Sequence, residues 1–289
     1  MDFIQAVLLG IIQGFTEFLP ISSTAHLRVV PALLGWERDP GAAFTAVIQW
    51  GTLLAALIYF RSDILRITIA VLDGLRTRDP WGHPDARMGW MIALGTVPIV
   101  VCGLAFKKAI KEDLRSLYVI AAAAIGLAIV LLSAELWVRR RQQKGQPLKG
   151  MSDLGWWDAV ATGLAQAVAL IPGASRSGVT ITGGLFLGMD RATAARFSFL
   201  MSLPSVFAAG VYELYDERHT LLASQADALN LATATVVSGL VGYATIAFLL
   251  SFLKSHTTLV FILYRVLLGG LLLALLWQGV LQPGTGLAE

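Results

Sequence analysis

Two short polar segments carry the residues of this sequence that could do chemistry. In the first, Gln13 and Glu17 are four residues apart, so on a helix both side chains lie on one face. Glu17 is the only charged residue between Asp2 and Arg28. An ionisable side chain inside an apolar segment is costly and indicates a functional site. The alternative is a structural carboxylate that is satisfied by helix-end amides or by an arginine.

The residues that follow Glu17 indicate a turn and a second helix. Pro20 ends the first helix, and Ser23 and His26 are three residues apart, so they are expected on one face of the next helix. A hydroxyl beside an imidazole is a nucleophile–base arrangement. Together with Gln13, Ser22 and Thr24 are candidate substrate contacts. The alternative is that these hydroxyls only cap the helix and that the histidine is structural.

The second segment, residues 172–180, is a small, hydroxyl-rich turn that opens a helix and contains Arg176. Backbone N–H groups at a helix start favour an anion, and an arginine adds a planar fork suited to phosphate oxygens. The alternative is a capped helix start whose arginine pairs with Glu17. Besides Arg176, the candidate phosphate-binding residues are Gly173, Ser175, Ser177 and Thr180.

Composition indicates that these groups lie in a membrane. The chain has 289 residues, of which 56% are hydrophobic and 14% are charged, whereas soluble domains have about 45–50% and about 25%. A helix needs about 20 residues to cross the hydrocarbon core. Six apolar blocks reach or approach that length, which predicts an all-α integral membrane protein with about six full transmembrane helices. The blocks are residues 42–60, 90–106, 117–134, 197–212, 228–253 and 257–281.

Charge and cysteine content exclude other classes of function. The net charge is only +3, and the basic residues lie mostly between the apolar blocks, where they set membrane topology, so no nucleic-acid partner is expected. The single cysteine, Cys102, excludes an internal disulfide and a thiolate metal cluster. Phosphoryl transfer requires mainly positioning and charge stabilisation. A lipid-borne phosphate is therefore the expected substrate.

The two polar segments also suggest an internal duplication. Residues 3–35 and 156–190 are apolar but interrupted, which predicts two re-entrant helix pairs that enter and leave on the same side. Gly10 and Gln13 match Gly163 and Gln166 at an offset of 153, and Pro20 and Ser23 match Pro172 and Ser175 at an offset of 152. The alternative is chance similarity between apolar segments.

A duplication with three full spans in each half makes the second half inverted, an arrangement that brings broken helices together near the midplane. The predicted organisation is a single membrane domain, with a first repeat at about 1–138, a basic connecting loop at 139–155 and a second repeat at about 156–289. Ten Lys and Arg residues lie in the connections 61–89 and 139–150, against five in 107–116 and 213–229. The positive-inside rule therefore predicts that the first two connections are cytoplasmic.

The two segments resemble the motifs of a known family. Gln13 and Glu17 followed by residues 20–26, together with residues 172–180, closely resemble the bacterial undecaprenyl-pyrophosphate phosphatase family, which is associated with bacitracin resistance. The resemblance extends over the whole chain. It implies hydrolysis of a polyprenyl pyrophosphate to the monophosphate, which recycles the lipid carrier for cell-wall synthesis. It also implies a location in the cytoplasmic membrane, with the active site facing the outer side.

The resemblance implies active-site positions at Glu17, Ser23, His26, Ser175, Arg176 and Thr180. It implies stimulation by a divalent cation, Mg²⁺ or Ca²⁺, for which Glu17 is the candidate ligand. Gln13 stands where many members have a second glutamate, so the ion is expected to bridge mainly the pyrophosphate oxygens.

These residues leave two forms of the hydrolytic mechanism open, and they leave two other functions as alternatives. Ser23 attacks the terminal phosphorus, or positions a water that does, with His26 as general base. The exposed apolar belt allows a homodimer. The rival functions are a lipid-phosphate transporter or flippase, since inverted repeats suit alternating access, and a purely structural bundle.

Overall fold

The computed structural model describes residues 1–36, 41–111, 114 and 116–284, and it confirms an all-α protein. Two single turns of 3₁₀ helix, Met151–Asp153 and Val168–Leu170, lie beside the second polar segment. The α-helices among the described residues are α1 Phe3–Phe18, α2 Ser23–Leu33, α3 Gly41–Tyr59, α4 Arg61–Thr77, α5 Pro84–Ala105, α6 Lys107–Lys111, α7 Leu117–Gln143, α8 Trp156–Ala167, α9 Arg176–Phe186, α10 Arg191–Asp216, α11 Arg218–Leu221, α12 Gln225–Ser255 and α13 Leu259–Trp277.

Five of these helices, α5, α7, α10, α12 and α13, are long and apolar enough to cross a membrane. A sixth span is formed if α3 and α4, which bend by 77° at their junction, count as one. Large apolar side chains such as Leu240, Leu267 and Trp277 are exposed along these helices, as expected for a lipid-facing surface. The chain is therefore a multi-pass membrane protein, and the prediction of about six spans is confirmed.

All four predicted connections contain helical residues, and two of them show why the bounds differ from the prediction. Residues 61–89 contain α4, whose Arg66 bonds to Asp63 at 3.2 Å and to Asp85 of α5 at 3.0 Å. An amphipathic helix with charges on one face is too polar to be recognised as a span, and so this one was not predicted. The predicted loop 139–155 begins too early, because α7 continues to Gln143 with its basic residues in the last turn, where the helix dipole favours them.

The two predicted re-entrant segments form helix pairs, α1–α2 and α8–α9. Each helix has 11 to 16 residues, which at about 1.5 Å per residue is less than the roughly 30 Å of a full crossing. The turns have the same backbone: Ser22 has φ 73° and Ser175 has φ 67°, and each hydroxyl accepts the N–H of the residue three positions on. Ser175 therefore corresponds to Ser22 at an offset of 153, and its pairing with Ser23 was wrong.

Glycines allow α1 and α8 to pack against helices of the other half of the chain. A Cβ atom on Gly10 would lie 2.6 Å from the carbonyl of Ala234 in α12. One on Gly163 would lie 2.4 Å from the carbonyl of Gly95 in α5. Gly10 and Gly163 are 153 residues apart, so each re-entrant pair uses the same position for the same contact. A duplication would produce this pattern, in which the first helix of each pair packs against a helix of the other half. The repeat bounds and the inverted orientation stay predictions.

Aromatic packing fixes the inner end of α1. Phe18, its last residue, packs edge-on against Phe199 of α10 with ring centroids 5.1 Å apart, and Phe60 lies 6.4 Å from the same ring. All three side chains are buried. The neighbouring Glu17 is thereby held at a defined position on a rigid helix.

Candidate active site

Glu17 joins the two polar segments. Its Oε2 accepts hydrogen bonds from Gln13 Nε2 at 2.7 Å and from Ser23 Oγ at 2.8 Å, and its Oε1 accepts one from Arg176 Nη2. The side chain of Glu17 is 5% exposed and that of Arg176 is 17% exposed. The two segments therefore lie together, as predicted, and an ion pair between residues 159 positions apart joins them.

Further hydrogen bonds hold the two turns together. Ser177 at the start of α9 donates to the carbonyl of Leu19 at 3.0 Å. The backbone N–H of Gly173 donates to the hydroxyl of Thr24 at 3.4 Å. Gly173 has φ +90°, and a side chain there would collide with the backbone of Ile120, so this position requires glycine. Ser177 and Gly173 therefore hold the two turns in place without lining the cavity.

Arg265 of α13 supports both turns, and it was not predicted as a site residue. Its side chain is buried and donates to the carbonyls of Pro20 at 3.5 Å and Gly173 at 3.2 Å. It also donates to Ala124 at 3.1 Å and Ala123 at 3.2 Å in α7. The signal in the sequence was its position as the only charged residue of the block 257–281, because a lone charge in a span indicates function.

A cavity of about 630 Å³ opens beside the ion pair. Six predicted site residues line it, and its walls lead between α5 and α10 toward the α6 end of the protein. The six are Glu17, Ser22, Ser23, Thr24, Ser175 and Arg176. Apolar walls come from Ile99, Val100, Leu104, Leu170 and Val206, and further charged groups from Arg28, Lys107 and Glu213. The cavity thus has a polar end and an apolar channel, as an amphiphilic ligand requires.

The ring nitrogens of His26 form their hydrogen bonds with groups other than Ser23. Its Nδ1 donates to the carbonyl of Ser22 at 2.7 Å, which leaves Nε2 to accept the hydroxyl hydrogen of Tyr264 at 2.6 Å. The two rings stack with centroids 5.6 Å apart, and His26 is not among the residues of the cavity wall. The structure therefore does not join the predicted nucleophile–base pair by a hydrogen bond: Ser23 is the first residue of α2, and its hydroxyl donates across the turn to Glu17.

Thr180 and Gln13 lie behind the cavity wall as well. Thr180 Oγ1 donates to the carbonyl of Arg176 at 2.7 Å and shares a 2.5 Å hydrogen bond with Ser198 of α10. Gln13 is fully buried and holds the carboxylate of Glu17. Both residues position the groups that face the cavity.

The outer end of the cavity carries a second polar cluster. Lys107 Nζ donates to the hydroxyl of Tyr212, lies 4.6 Å above that ring and is 3.8 Å from Asp216. The hydrogen bond to Tyr212, together with the charges of Asp216 and Glu213, raises the pKa of Lys107 above its ordinary value. The ammonium group is therefore charged at neutral pH.

The polar end of the cavity offers oxygen ligands for a divalent cation but no complete cage. Among the described residues, no three His, Cys, Asp or Glu side chains form a group that could hold a metal ion. Gln13 Oε1 is buried without a hydrogen-bond partner in the described part of the chain, beside Glu17. Carboxylate, amide and hydroxyl oxygens suit Mg²⁺ or Ca²⁺. The residues fit a cation that takes its remaining ligands from a phosphate substrate.

Comparison with known proteins shows the family of this chain. The model of the family described as "Bacitracin resistance protein BacA" matches residues 6–271. The chain is 62% identical over 282 residues to "Undecaprenyl-diphosphatase" of Chloroherpeton thalassium, covering 98% of this chain and 99% of the relative. It is 60% identical to the protein of that name from Chlorobium phaeobacteroides and 61% identical to the one from Prosthecochloris aestuarii, covering 98% of this chain and all of each relative. By this match over nearly its whole length, the chain belongs to the BacA bacitracin resistance family.

Proposed function

We propose that this protein hydrolyses undecaprenyl pyrophosphate to undecaprenyl monophosphate and inorganic phosphate. Relatives of about 60% identity over their full length carry the name of this activity. The observation that carries the proposal is the hydrogen bond from the Ser23 hydroxyl to the Glu17 carboxylate, at the edge of a cavity that Arg176 also lines. This contact supplies a hydroxyl, a base and a phosphate-binding group in one place.

The pyrophosphate binds at the polar end of the cavity. Arg176 directs a guanidinium into it, and Ser22 and Ser175 stand at the starts of α2 and α9, whose N-terminal dipoles favour a negative charge. The pairing of Arg176 with Glu17 neutralises both charges before substrate arrives. On binding, the arginine shares its donors between the carboxylate and the phosphate.

Glu17 acts as the general base for Ser23. The carboxylate accepts the hydroxyl proton, Ser23 Oγ bonds to the terminal phosphorus, and the bond to the bridging oxygen breaks. Lipid monophosphate leaves, and water then releases phosphate from the serine. In the alternative form, Glu17 and Ser23 orient a water that attacks directly. His26 supports this arrangement through Ser22 and Tyr264 and does not take the proton.

A divalent cation, Mg²⁺ or Ca²⁺, would be held mainly by pyrophosphate oxygens, with Glu17 as its protein ligand. When bound, it supplies charge neutralisation for the phosphate that is transferred.

We place the site at the outer face of the bacterial cytoplasmic membrane, because the cavity leads toward α6 in the connection 107–116, which has fewer basic residues than the predicted cytoplasmic connections. The prenyl chain extends along the apolar part of the cavity and between helices into the lipid. Recycling of the monophosphate serves the synthesis of cell-wall polymers and confers resistance to bacitracin. The exposed apolar surface of the spans would allow a homodimer.

Transport of a lipid phosphate is the second function that the sequence suggested, and the comparisons do not support it. Transport needs a phosphate clamp but has no use for a hydroxyl activated by a carboxylate. The contact between Ser23 and Glu17 therefore favours hydrolysis.

The test is phosphate release from undecaprenyl pyrophosphate by detergent-purified protein, with Mg²⁺ and with excess EDTA. We expect turnover by the wild type that falls in EDTA and is lost in Arg176→Ala. Arg61→Ala is the control, because Arg61 is exposed and does not line the cavity. Binding of the lipid without phosphate release by the wild type would overturn the proposal.

A further inference from the structure

Arg28 is a buried arginine in the cavity that the proposed mechanism leaves without a role. It belongs to α2, is only 8% exposed, and lines the same cavity as Glu17, Ser23 and Arg176. Taking a guanidinium out of water inside a membrane protein is costly, so such residues pair with protein groups, and those that line a cavity mark the path of an anionic substrate. In the sequence it is the next charged residue after Glu17, just beyond the first polar segment.

The helix geometry relates Arg28 to the hydroxyls of the site. Thr24 and Arg28 are four residues apart, and both line the cavity, so they lie on one face of α2. Their Cα atoms are about 6 Å apart along the helix axis. Long side chains in helices lean toward the N-terminus, which carries the guanidinium back toward Thr24. A diphosphate has a second phosphate group beyond the one at Ser23, and Arg28 lies further along the same helix in the same cavity.

The charges of the cavity wall agree with a diphosphate. The acidic residues are Glu17 and Glu213, and the basic ones are Arg28, Lys107 and Arg176. Arg176 pairs with Glu17 at the point where the chemistry is proposed, and Lys107 lies at the outer end with Asp216. Arg28 is the cation on the helix that carries Ser23, and a guanidinium binds two phosphate oxygens at once.

We propose that Arg28 binds the phosphate that stays on the lipid, while Arg176 and Ser23 engage the phosphate that is removed. This inference rests on the proposed function and deepens it. Arg28 selects for the diphosphate, and the monophosphate product loses one of the two anchoring sites. The product is consequently held less tightly than the substrate and is released.

The test compares wild type with Arg28→Gln and Arg28→Lys in detergent, using undecaprenyl pyrophosphate as substrate. Methylenediphosphonate and methylphosphonate serve as competing probes with two phosphoryl groups and one. A charge-assisted contact of this kind corresponds to about a 10- to 100-fold change. In Arg28→Gln we expect KM to rise by about that factor with a smaller change in kcat, and inhibition by methylenediphosphonate to weaken equally. Arg28→Lys retains part of the preference.

Inhibition by methylphosphonate is expected to stay unchanged in Arg28→Gln, and Arg61→Gln, at an exposed position, is expected to behave as wild type. A ratio of the two inhibition constants that equals the wild-type ratio would overturn the inference, whether both constants stay the same or both rise together. If the wild type released no phosphate, the proposed function would fail by itself. Calorimetric binding of the same two probes would then decide the role of Arg28 separately.

Discussion

Ser23 and Glu17 are joined across the α1–α2 turn by a hydrogen bond of 2.8 Å from the serine hydroxyl to the carboxylate. The carboxylate is held from its other sides by Gln13 and Arg176. A base fixed in this way accepts a proton without having to reorganise. The helix break at Ser22 is what brings a hydroxyl to a carboxylate six residues earlier in the chain.

Replacing Ser23 removes the proposed nucleophile. We expect Ser23→Ala to lower kcat by about 100- to 10,000-fold, because the variant keeps the phosphate clamp but loses the attacking or water-orienting hydroxyl. Phosphate release measured beside Ser133→Ala, at an exposed serine of α7, provides the comparison. Near-normal turnover by Ser23→Ala would exclude covalent catalysis by this residue.

The hydrogen bond between His26 and Tyr264 is expected to stabilise the fold. Tyr264→Phe removes a donor to a buried imidazole, which costs about 0.5–1.5 kcal/mol, and His26→Gln should show a coupling energy with it of similar size in a double-mutant cycle. Thermal unfolding measures both, with Tyr118→Phe, at an exposed tyrosine, as the control. Loss of turnover in His26→Gln at unchanged stability, without a matching effect of Tyr264→Phe, would instead make His26 the catalytic base.

Arg265 is expected to position both turns. Arg265→Lys keeps the charge, but an ammonium cannot reproduce the planar fork that bonds to carbonyls of both turns and of α7. We expect a lower unfolding temperature and about a 10- to 100-fold loss of turnover, because carbonyl groups left without donors each cost about 1–3 kcal/mol. Arg61→Lys, at an exposed position, should change neither. Wild-type values for both quantities in Arg265→Lys would contradict this role.

The parts of the site that could be predicted were those marked by buried charge. Glu17 and Arg176 interrupt apolar segments, and such charges need partners, so their meeting followed from the sequence. The partner of His26 could not be predicted, because Tyr264 lies 238 residues away and no local spacing relates them. Helix periodicity alone placed Ser23 beside His26, since it takes no account of the left-handed backbone at Ser22.

Fold prediction succeeded and failed for similar reasons. Spans are set by the length of apolar blocks, which is a local property, so α5, α7, α10, α12 and α13 were recognised. The amphipathic α4 has no long apolar block, so the sequence predicts a connection there. Arg265 stood out as a lone charge in a span, but its carbonyl partners depend on how α13 packs against both turns.

The packing of α3 against α12 is expected to tolerate no side chain at Gly51. A Cβ atom there would lie 1.9 Å from the carbonyl of Thr235 and 2.1 Å from the hydroxyl of Ser238. Overpacking of this kind costs about 1–3 kcal/mol or more, so Gly51→Ala should lower the unfolding temperature. Gly126→Ala is the matched control, because nothing lies within 4 Å of the added atom. Equal unfolding temperatures for the two variants would contradict the close approach of the helices.

The central claim is that two segments far apart in the sequence form one phosphoryl-transfer site, and a double-mutant cycle on turnover tests it most directly. Phosphate release is measured for Glu17→Gln, Arg176→Gln and the double variant, with Asp73→Asn and Arg61→Gln as exposed controls. We predict that turnover falls about 100-fold or more in each single variant. The double variant should be little slower than the less active single variant, because the effects of groups that act as a unit are non-additive. Losses that multiply in the double variant would show that Glu17 and Arg176 act independently and would contradict the account.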